Sequence, residues 1–401
     1  MRILFCVYSI GRVGGIEMIT LVKANSLAET FKKNNNGEVA ICFSDKCDFP
    51  KTMIPLSPDV KTYDTQMNFY GNTMRNLPKF IFRFIKKLYL HRKRIQSVIN
   101  EFKPDIIISV GQAEKFIFPF LHSYDKEKKL IKIREVHFNS NYRFFRYKKW
   151  LASFTNFIDF NIFSQAFDRV YLLTQQDKRE NFANNRRYAV MPNPVSFNLK
   201  EGNEEFPRSK TVLAVGRLVP QKNFASLLRI WAMVKNKHKD WKLRIVGDGA
   251  EMLTLQQLAK DLKISDSVEF AGYSNKVREE MLKAQIFAFT SLYEGFGLVL
   301  LEAATCKLPS ISYKTPYGPE DIIKDGKTGI LVDYLNESEF ADKLDALMSN
   351  DQLQQQMGLE AQKVVAEYST EAIMNRWIKE YVSLLGVSNR LSDVCKMRGG
   401  K

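Results

Sequence analysis

Short β-branched runs alternate with longer amphipathic stretches along nearly the whole chain, and that rhythm admits few folds. The strand candidates are 3–8, 39–43, 105–110, 130–136 and 170–174, then 211–215, 243–246, 268–270, 286–290, 310–312 and 329–332. Helical patterns lie between them. Strands that alternate with helices pair in parallel and are buried on both faces, so the pattern predicts an α/β fold with covered parallel sheets. The rhythm breaks once, at Met191-Pro192-Asn193-Pro194 and the polar, acidic stretch that runs to Ser209. Proline withholds a backbone donor and drives the preceding residue out of helix. The break predicts a linker between two domains, 1–191 and 192–368, which suits 401 residues at about 100–200 per domain. A helical stretch follows at 369–385, then a tail, 386–401.

Charge divides along the same line. Lys and Arg number 32 against 17 Asp and Glu in residues 1–191, but 28 against 27 in 192–401. A basic surface draws phosphate-rich partners: nucleic acid, anionic lipid or a phosphorylated acceptor. Within the basic half, 75–94 reads RNLPKFIFRFIKKLYLHRKR, with eight Lys or Arg and no acid. Leu77, Phe80, Ile81, Phe84, Ile85 and Leu88 recur at helical spacing on one face. Asn76 before Pro78 marks a start, and Phe82 and Tyr89 fall among the cations. A second cluster, 142–150, reads YRFFRYKKW. Cations interleaved with aromatics fit a layer of anionic headgroups, so an anionic membrane surface is an expected partner through 75–94 and 142–150. The plainer alternative is a core-packed helix with a solvated basic face. No helix-turn-helix or RNA-recognition signature accompanies the charge, and nucleic acid is not expected.

The chain has no apolar run of about 18 residues, the length a spanning helix needs. Its first residues read as a strand entering a Gly-rich turn, not as a leader. Cys6, Cys42, Cys47, Cys306 and Cys395 are odd in number and scattered. Disulfides and a zinc site are therefore not expected, and the cytoplasm is, with a peripheral place on the inner face of the membrane as the variant.

Four motifs sit at strand ends. Ser9-Ile10-Gly11-Arg12-Val13-Gly14-Gly15-Ile16-Glu17 opens a helix. Its glycines permit a tight turn, and the helix start offers free N–H groups to an anion, although the G-x-G-x-x-G spacing is absent. Gly216-Arg217-Leu218-Val219-Pro220-Gln221-Lys222-Asn223 brings two cations to a sheet's carboxyl edge, where open α/β folds bind ligands. Arg217 and Lys222 could there neutralise a leaving diphosphate; a solvated basic loop is the alternative. Val246-Gly247-Asp248-Gly249 is a tight turn whose role reads as structural. The sharpest motif is Glu294-Gly295-Phe296-Gly297-Leu298-Val299-Leu300-Leu301-Glu302. Gly295 to Gly297 can offer backbone N–H groups to a phosphate, and Glu302 could accept from ribose hydroxyls. Two carboxylates beside a nucleotide are costly to bury without a partner, which favours function over decoration.

GRLVPQKN, VGDG, Gly272-Tyr273 and the E-x7-E pair occur in this order with fitting spacing. Together they resemble the retaining GT-B glycosyltransferases of family 4, the glycosyl transferases group 1. Tyr317-Gly318-Pro319-Glu320-Asp321, then Asp325-Gly326 and Thr328-Gly329, look like bacterial surface-polysaccharide members. The resemblance is strong over 210–335 and looser before it. It implies two Rossmann-like domains facing a cleft, with 369–385 crossing back to the first. It also implies a nucleotide-sugar donor, most simply a UDP-sugar, and a glycan or lipid-linked acceptor in bacterial surface-glycan synthesis. A GDP- or ADP-sugar donor, or a non-catalytic relative, is the alternative. The donor site implied comprises Gly14, Gly15, Gly216, Arg217, Lys222, Gly247, Tyr273, Glu294, Gly295, Phe296, Gly297, Leu298 and Glu302. Arg217 and Lys222 would support the departing diphosphate, Glu302 the ribose and Glu294 the donor sugar. No metal and no other cofactor is expected.

His137 ends the candidate strand 130–136, and similar enzymes place a histidine there near the donor sugar or acceptor; a structural role is the alternative. His91 and His238 read as solvated, and His122 closes a short apolar run. Rival readings fit less well. The E-x7-E pair disfavours an epimerase, a phosphorylase is usually far longer, and Arg217, Lys222, Glu294 and Glu302 are all present for catalysis.

Overall fold

The computed structural model describes residues 1–10, 15–45, 54–67, 77–110, 114–145, 148–195 and 206–386, without the side chains of 77–84, 144 and 145. The chain divides into two compact units, each with its own parallel sheet.

The first unit comprises 1–172, 181–194 and the chain from Thr370. Its strands are β1 (Arg2–Val7), β2 (Glu38–Phe43), β3 (Val60–Asp64), β4 (Ile106–Ser109), β5 (Ile131–Glu135), β6 (Arg169–Leu172) and β7 (Tyr188–Val190), in the order β3-β2-β1-β4-β5-β6-β7. The central strands are β-branched runs buried on both faces, Ile106–Ser109 throughout, as a covered parallel sheet requires. The order reverses between β1 and β4, and such a reversal opens a crevice at the carboxyl ends of the strands. Helix Thr370–Leu384 adds Ile373, Met374, Trp377 and Tyr381 to the core beneath β1 and β4.

The second unit comprises 173–180 and 195–369. Its strands are β8 (Thr211–Val215), β9 (Lys242–Val246), β10 (Val268–Gly272), β11 (Ile286–Phe289), β12 (Ser310–Tyr313) and β13 (Gly329–Val332), ordered β10-β9-β8-β11-β12-β13. Here the reversal lies between β8 and β11. Helix Phe224–Val234 follows β8 because Phe224, Leu227, Leu228, Trp231 and Val234 form one apolar stripe, all buried. Trp231 satisfies its indole by donating to Ser267 Oγ at 3.0 Å.

Several expectations need correction. The boundary at 191/192 gives way to an exchange, because 173–180 packs in the second unit. Gln175 N donates to Asp321 Oδ1 (2.9 Å), and Gln176 Oε1 accepts from Tyr317 N (3.0 Å). Strands β3 and β7 went unread: VKTYD is mostly polar, and YAV spans three residues. His91 is buried, not solvated, because it shares the inner face of helix Leu77–Phe102 with Ile95, Val98, Ile99 and Phe102. His238 is held 2.6 Å from Asp345 Oδ1. On the same long helix Ile85, expected on the apolar face, is exposed, while the expected neighbours 77–84 lie outside the described side chains.

Candidate active site

Two loops meet at the reversal of the second sheet. One leaves β8 over 216–223, and the other leaves β11 over 290–297. They are tied edge to edge. Leu292 N donates to Gln221 O (2.8 Å), Gln221 Nε2 to Tyr293 O (2.8 Å), and Thr290 Oγ1 to Lys222 O (3.2 Å). Lys222 Nζ lies 2.7 Å from Glu294 Oε1, and its ammonium sits 5.6 Å from the Phe289 ring centroid. Both side chains are largely buried. A buried charge persists only with a partner, so each of these residues fixes the other's position. Arg217 is exposed one residue past Gly216. The pair is neutral and Arg217 adds a positive charge, so the loops form a site of net positive sign with one anchored carboxylate.

Glu302 is half-buried on the second turn of helix Leu298–Thr305, which begins after Gly297; Leu300 N in its first turn donates to Gly297 O (2.9 Å). Phe296 contributes backbone alone, because its ring is in the core beside Tyr368 at 5.8 Å. Leu298 is half-buried, Gly295 precedes the turn, and Tyr273 stands exposed just beyond β10.

Two glycines explain how the loops come so close. Gly247 has φ +143°, and a Cβ there would fall 1.9 Å from Gly216 O. The VGDG turn is thus a strut that sets the height of the Arg217 loop, and Leu218 N donates to Asp248 O (2.9 Å) beside it. Gly318 has φ +127°, and a Cβ would fall 2.1 Å from Phe296 O. The Tyr317-Gly318-Pro319 segment therefore braces the turn that starts helix Leu298–Thr305.

In the first unit, Gly14 lies outside the described residues, and Gly15 begins helix Gly15–Asn34. His137 follows β5. Its Nε2 lies 3.1 Å from Glu135 Oε2, and the other carboxylate oxygen of Glu135 meets Lys23 Nζ at 2.5 Å. Burial pushes the Glu135 carboxyl up, but the Lys23 ammonium and the His137 hydrogen bond outweigh it and hold it at about 2. Burial lowers the Lys23 ammonium against the pull of Glu135. Lys23 Nζ also lies 4.0 Å from the Trp377 ring centroid. An ionised carboxylate only accepts, so His137 donates to it through Nε2–H. Nδ1 is buried without a hydrogen-bond partner among the described residues. Lys23 and Glu135 were not foreseen as site residues. The signal was present: Lys23 shares the helical phase of Thr20, Ala24, Leu27, Ala28 and Phe31, and a lysine in that phase demands a buried anion.

A second buried cluster lies on the other face of β5. Lys115 (2.7 Å), Arg134 (2.8 Å) and Arg143 all pair with Asp159. Burial brings the Lys115 ammonium down to about 8, although Asp159 opposes it. Among the described residues no group of three His, Cys, Asp or Glu could hold a metal ion, and no helix is long and apolar enough to cross a membrane.

The two units are parallel α/β sheets with charged and glycine-bearing loops at the strand ends, the place where open α/β folds bind ligands. Residues 196–364 match the family model described as glycosyl transferases group 1. The amylovoran biosynthesis glycosyltransferase AmsD of Erwinia amylovora is 38 % identical over 218 residues, 52 % of this chain and 61 % of AmsD. An uncharacterized glycosyltransferase of Haemophilus influenzae is 27 % identical over 382 residues, 94 % of this chain and 98 % of the relative. The chain thus matches less than two thirds of AmsD and nearly all of the Haemophilus protein. A TarM variant of S. aureus, solved with fondaparinux, alpha-GlcNAc-glycerol and UDP, has a TM-score of 0.74 over 94 % of this chain and 99 % of that chain, at 17 % identity. That likeness is one of fold, and with the two parallel-sheet units it gives the GT-B class.

Proposed function

We propose that the protein is a retaining glycosyltransferase. It moves a hexose or N-acetylhexosamine from a nucleotide-sugar, most simply a UDP-sugar, onto a glycan or lipid-linked acceptor during assembly of a bacterial surface glycan. The observation that carries the reading is the Lys222–Glu294 pair, at 2.7 Å, beside exposed Arg217 on the loops that flank the sheet reversal. UDP in the TarM variant and the biosynthetic role in AmsD's name support the donor and the setting.

The chemistry assigns each group a task. The bond from sugar C1 to the diphosphate oxygen breaks, and negative charge grows on the diphosphate. Arg217 and Lys222 oppose that charge, and fixed cations in a partly buried site do so with little reorganisation. Glu302 accepts from the ribose hydroxyls. Glu294 holds Lys222 and meets the donor sugar. The acceptor hydroxyl attacks C1 from the face the diphosphate leaves, and its proton passes to the departing phosphate oxygen, so the anomeric configuration is kept. His137, its Nε2 held by Glu135, accepts a sugar or acceptor hydroxyl at Nδ1. Charge neutralisation falls to side chains, and no metal is assigned a role.

The test is to incubate the protein with UDP-, GDP- and ADP-sugars and candidate acceptors in EDTA, following the anomeric proton by NMR. One nucleotide series is expected to be consumed, with release of its diphosphate and retention at C1. Lys222→Ala is expected to slow turnover by about 100-fold or more. An inverted product would end the retaining mechanism, and loss of turnover in EDTA would end the metal-free one. Consumption of none of the donors would end the transferase reading.

A further inference from the structure

Helix Lys149–Phe157 is oriented against the usual rule. Trp150, Phe154 and Phe157 fall at i, i+4 and i+7, on one stripe, and are 68 %, 59 % and 59 % exposed. Ala152 is the residue the helix buries. A helix on a globular protein turns its large apolar side chains to the core and its small ones outward, and an exposed contiguous apolar patch marks a contact surface. The patch continues past the helix. Ile162 is exposed, and Phe163 beside it packs edge-on against Phe116 at 4.9 Å. Phe120, also exposed, is joined to helix Leu77–Phe102 by Arg92, whose Nε donates to Phe120 O at 3.1 Å. One helical turn before Lys93, exposed Tyr89 lies under its ammonium at 4.8 Å.

The exposed charges at the start of this helix and beside Tyr89 are positive. Lys148 and Lys149 are exposed at the start of the helix, and Lys93 is exposed beside Tyr89. No Asp or Glu occurs in 65–100 or in 136–158. Aromatic rings suit the boundary between acyl chains and headgroups, and flanking lysines suit anionic headgroups.

We propose that this band docks the first unit on an anionic lipid bilayer, with Trp150, Phe154 and Phe157 entering the interfacial layer and Lys148, Lys149 and Lys93 meeting the headgroups. The anchor thus lies on 149–162, C-terminal to most of the residues that the sequence pattern singled out, and Tyr89 and Lys93 flank it. The proposal stands on the surface of the first unit and does not depend on the transfer reaction.

Tryptophan fluorescence provides an unusually clean test. Of the four tryptophans, Trp231, Trp241 and Trp377 are at most 2 % exposed, so a change of environment on docking reports Trp150. The full chain is titrated with vesicles of phosphatidylglycerol or phosphatidylcholine, with and without bromine on the acyl chains. Anionic vesicles are expected to shift the emission to the blue, and the brominated ones to quench it. Binding should weaken at least tenfold in 0.5 M salt and in the double variant Phe154→Ser/Phe157→Ser. That variant should keep its circular dichroism and its thermal shift with nucleotide, since both side chains face water. Unchanged emission at saturating anionic lipid would overturn the proposal. So would a lipid-independent blue shift that grows with protein concentration and vanishes in the double variant, because the band would then be covered by a second copy of the chain. Equal binding to neutral vesicles would overturn its electrostatic part.

Discussion

At the residue scale the account turns on buried charges whose partners are few. Glu135 is shared between Lys23 and His137. Glu135→Gln leaves the Lys23 ammonium buried and unpaired, and should cost about 3–5 kcal/mol by thermal or urea denaturation. The pH dependence has a definite sign. Glu135 titrates at about 2 in the fold against 4.5 without it, so its stabilisation is present above pH 4.5 and is lost as pH falls toward 2. At 1.36 kcal/mol per unit that is about 3 kcal/mol. Glu114 behaves oppositely. It is fully buried, neither carboxylate oxygen has a hydrogen-bond partner among the described residues, and burial raises it from 4.5 to about 7. The fold keeps its proton while the unfolded chain has lost it. Stability therefore falls by about 3 kcal/mol as pH rises from 4.5 to 7. Glu114→Gln should abolish that decline in a pH series of melting curves; an unchanged decline would show that the carboxyl is not held neutral. Arg217, Lys222, Glu294 and Glu302 stand out in the sequence as candidates because their motifs are contiguous and sit at strand ends. Glu135 was not, since its partner Lys23 is 112 residues away and only packing unites them.

At the element scale, two turns hold the loops 216–223 and 290–297 at their spacing. Gly247→Ala forces an unfavourable φ and drives a Cβ to 1.9 Å from Gly216 O. The variant should lose at least about 1–3 kcal/mol of stability and should bind nucleotide more weakly, because the Arg217 loop must move. If calorimetry found nucleotide affinity unchanged, the strut role would be wrong. The parallel strands were legible wherever both faces are buried, as in Ile106–Ser109 and Ile286–Phe289. The edge strands were not. Val60–Asp64 buries only Val60 fully and so lacks the apolar signal that betrays a strand. Helix Lys149–Phe157 eluded the usual amphipathic argument for the opposite reason: its apolar residues are exposed. Periodicity reports which residues share a face, and only the fold says which way that face points.

At the scale of the whole molecule, each unit owns a sheet and cores on both sides of it. Two segments exchange at the boundary: 173–180 joins the second unit, and the chain from Thr370 joins the first. The sequence break around Pro192 suggests a linker, but the division falls after Pro194, and the exchange depends on contacts such as Gln175 N to Asp321 Oδ1, which no linear pattern encodes. Units with separate cores should melt as separate transitions, and a ligand that binds one folded unit should raise that transition alone. Scanning calorimetry in EDTA with UDP, GDP and ADP, on the natural chain and on Lys222→Ala, tests whether the Lys222–Glu294 loops bind a nucleotide diphosphate. One diphosphate should raise one transition by several degrees, as about 2.7 kcal/mol of linkage at 100 times Kd would require, and Lys222→Ala should remove the effect. If no nucleotide moves either transition, the loops around Lys222 and Glu294 do not form a donor site.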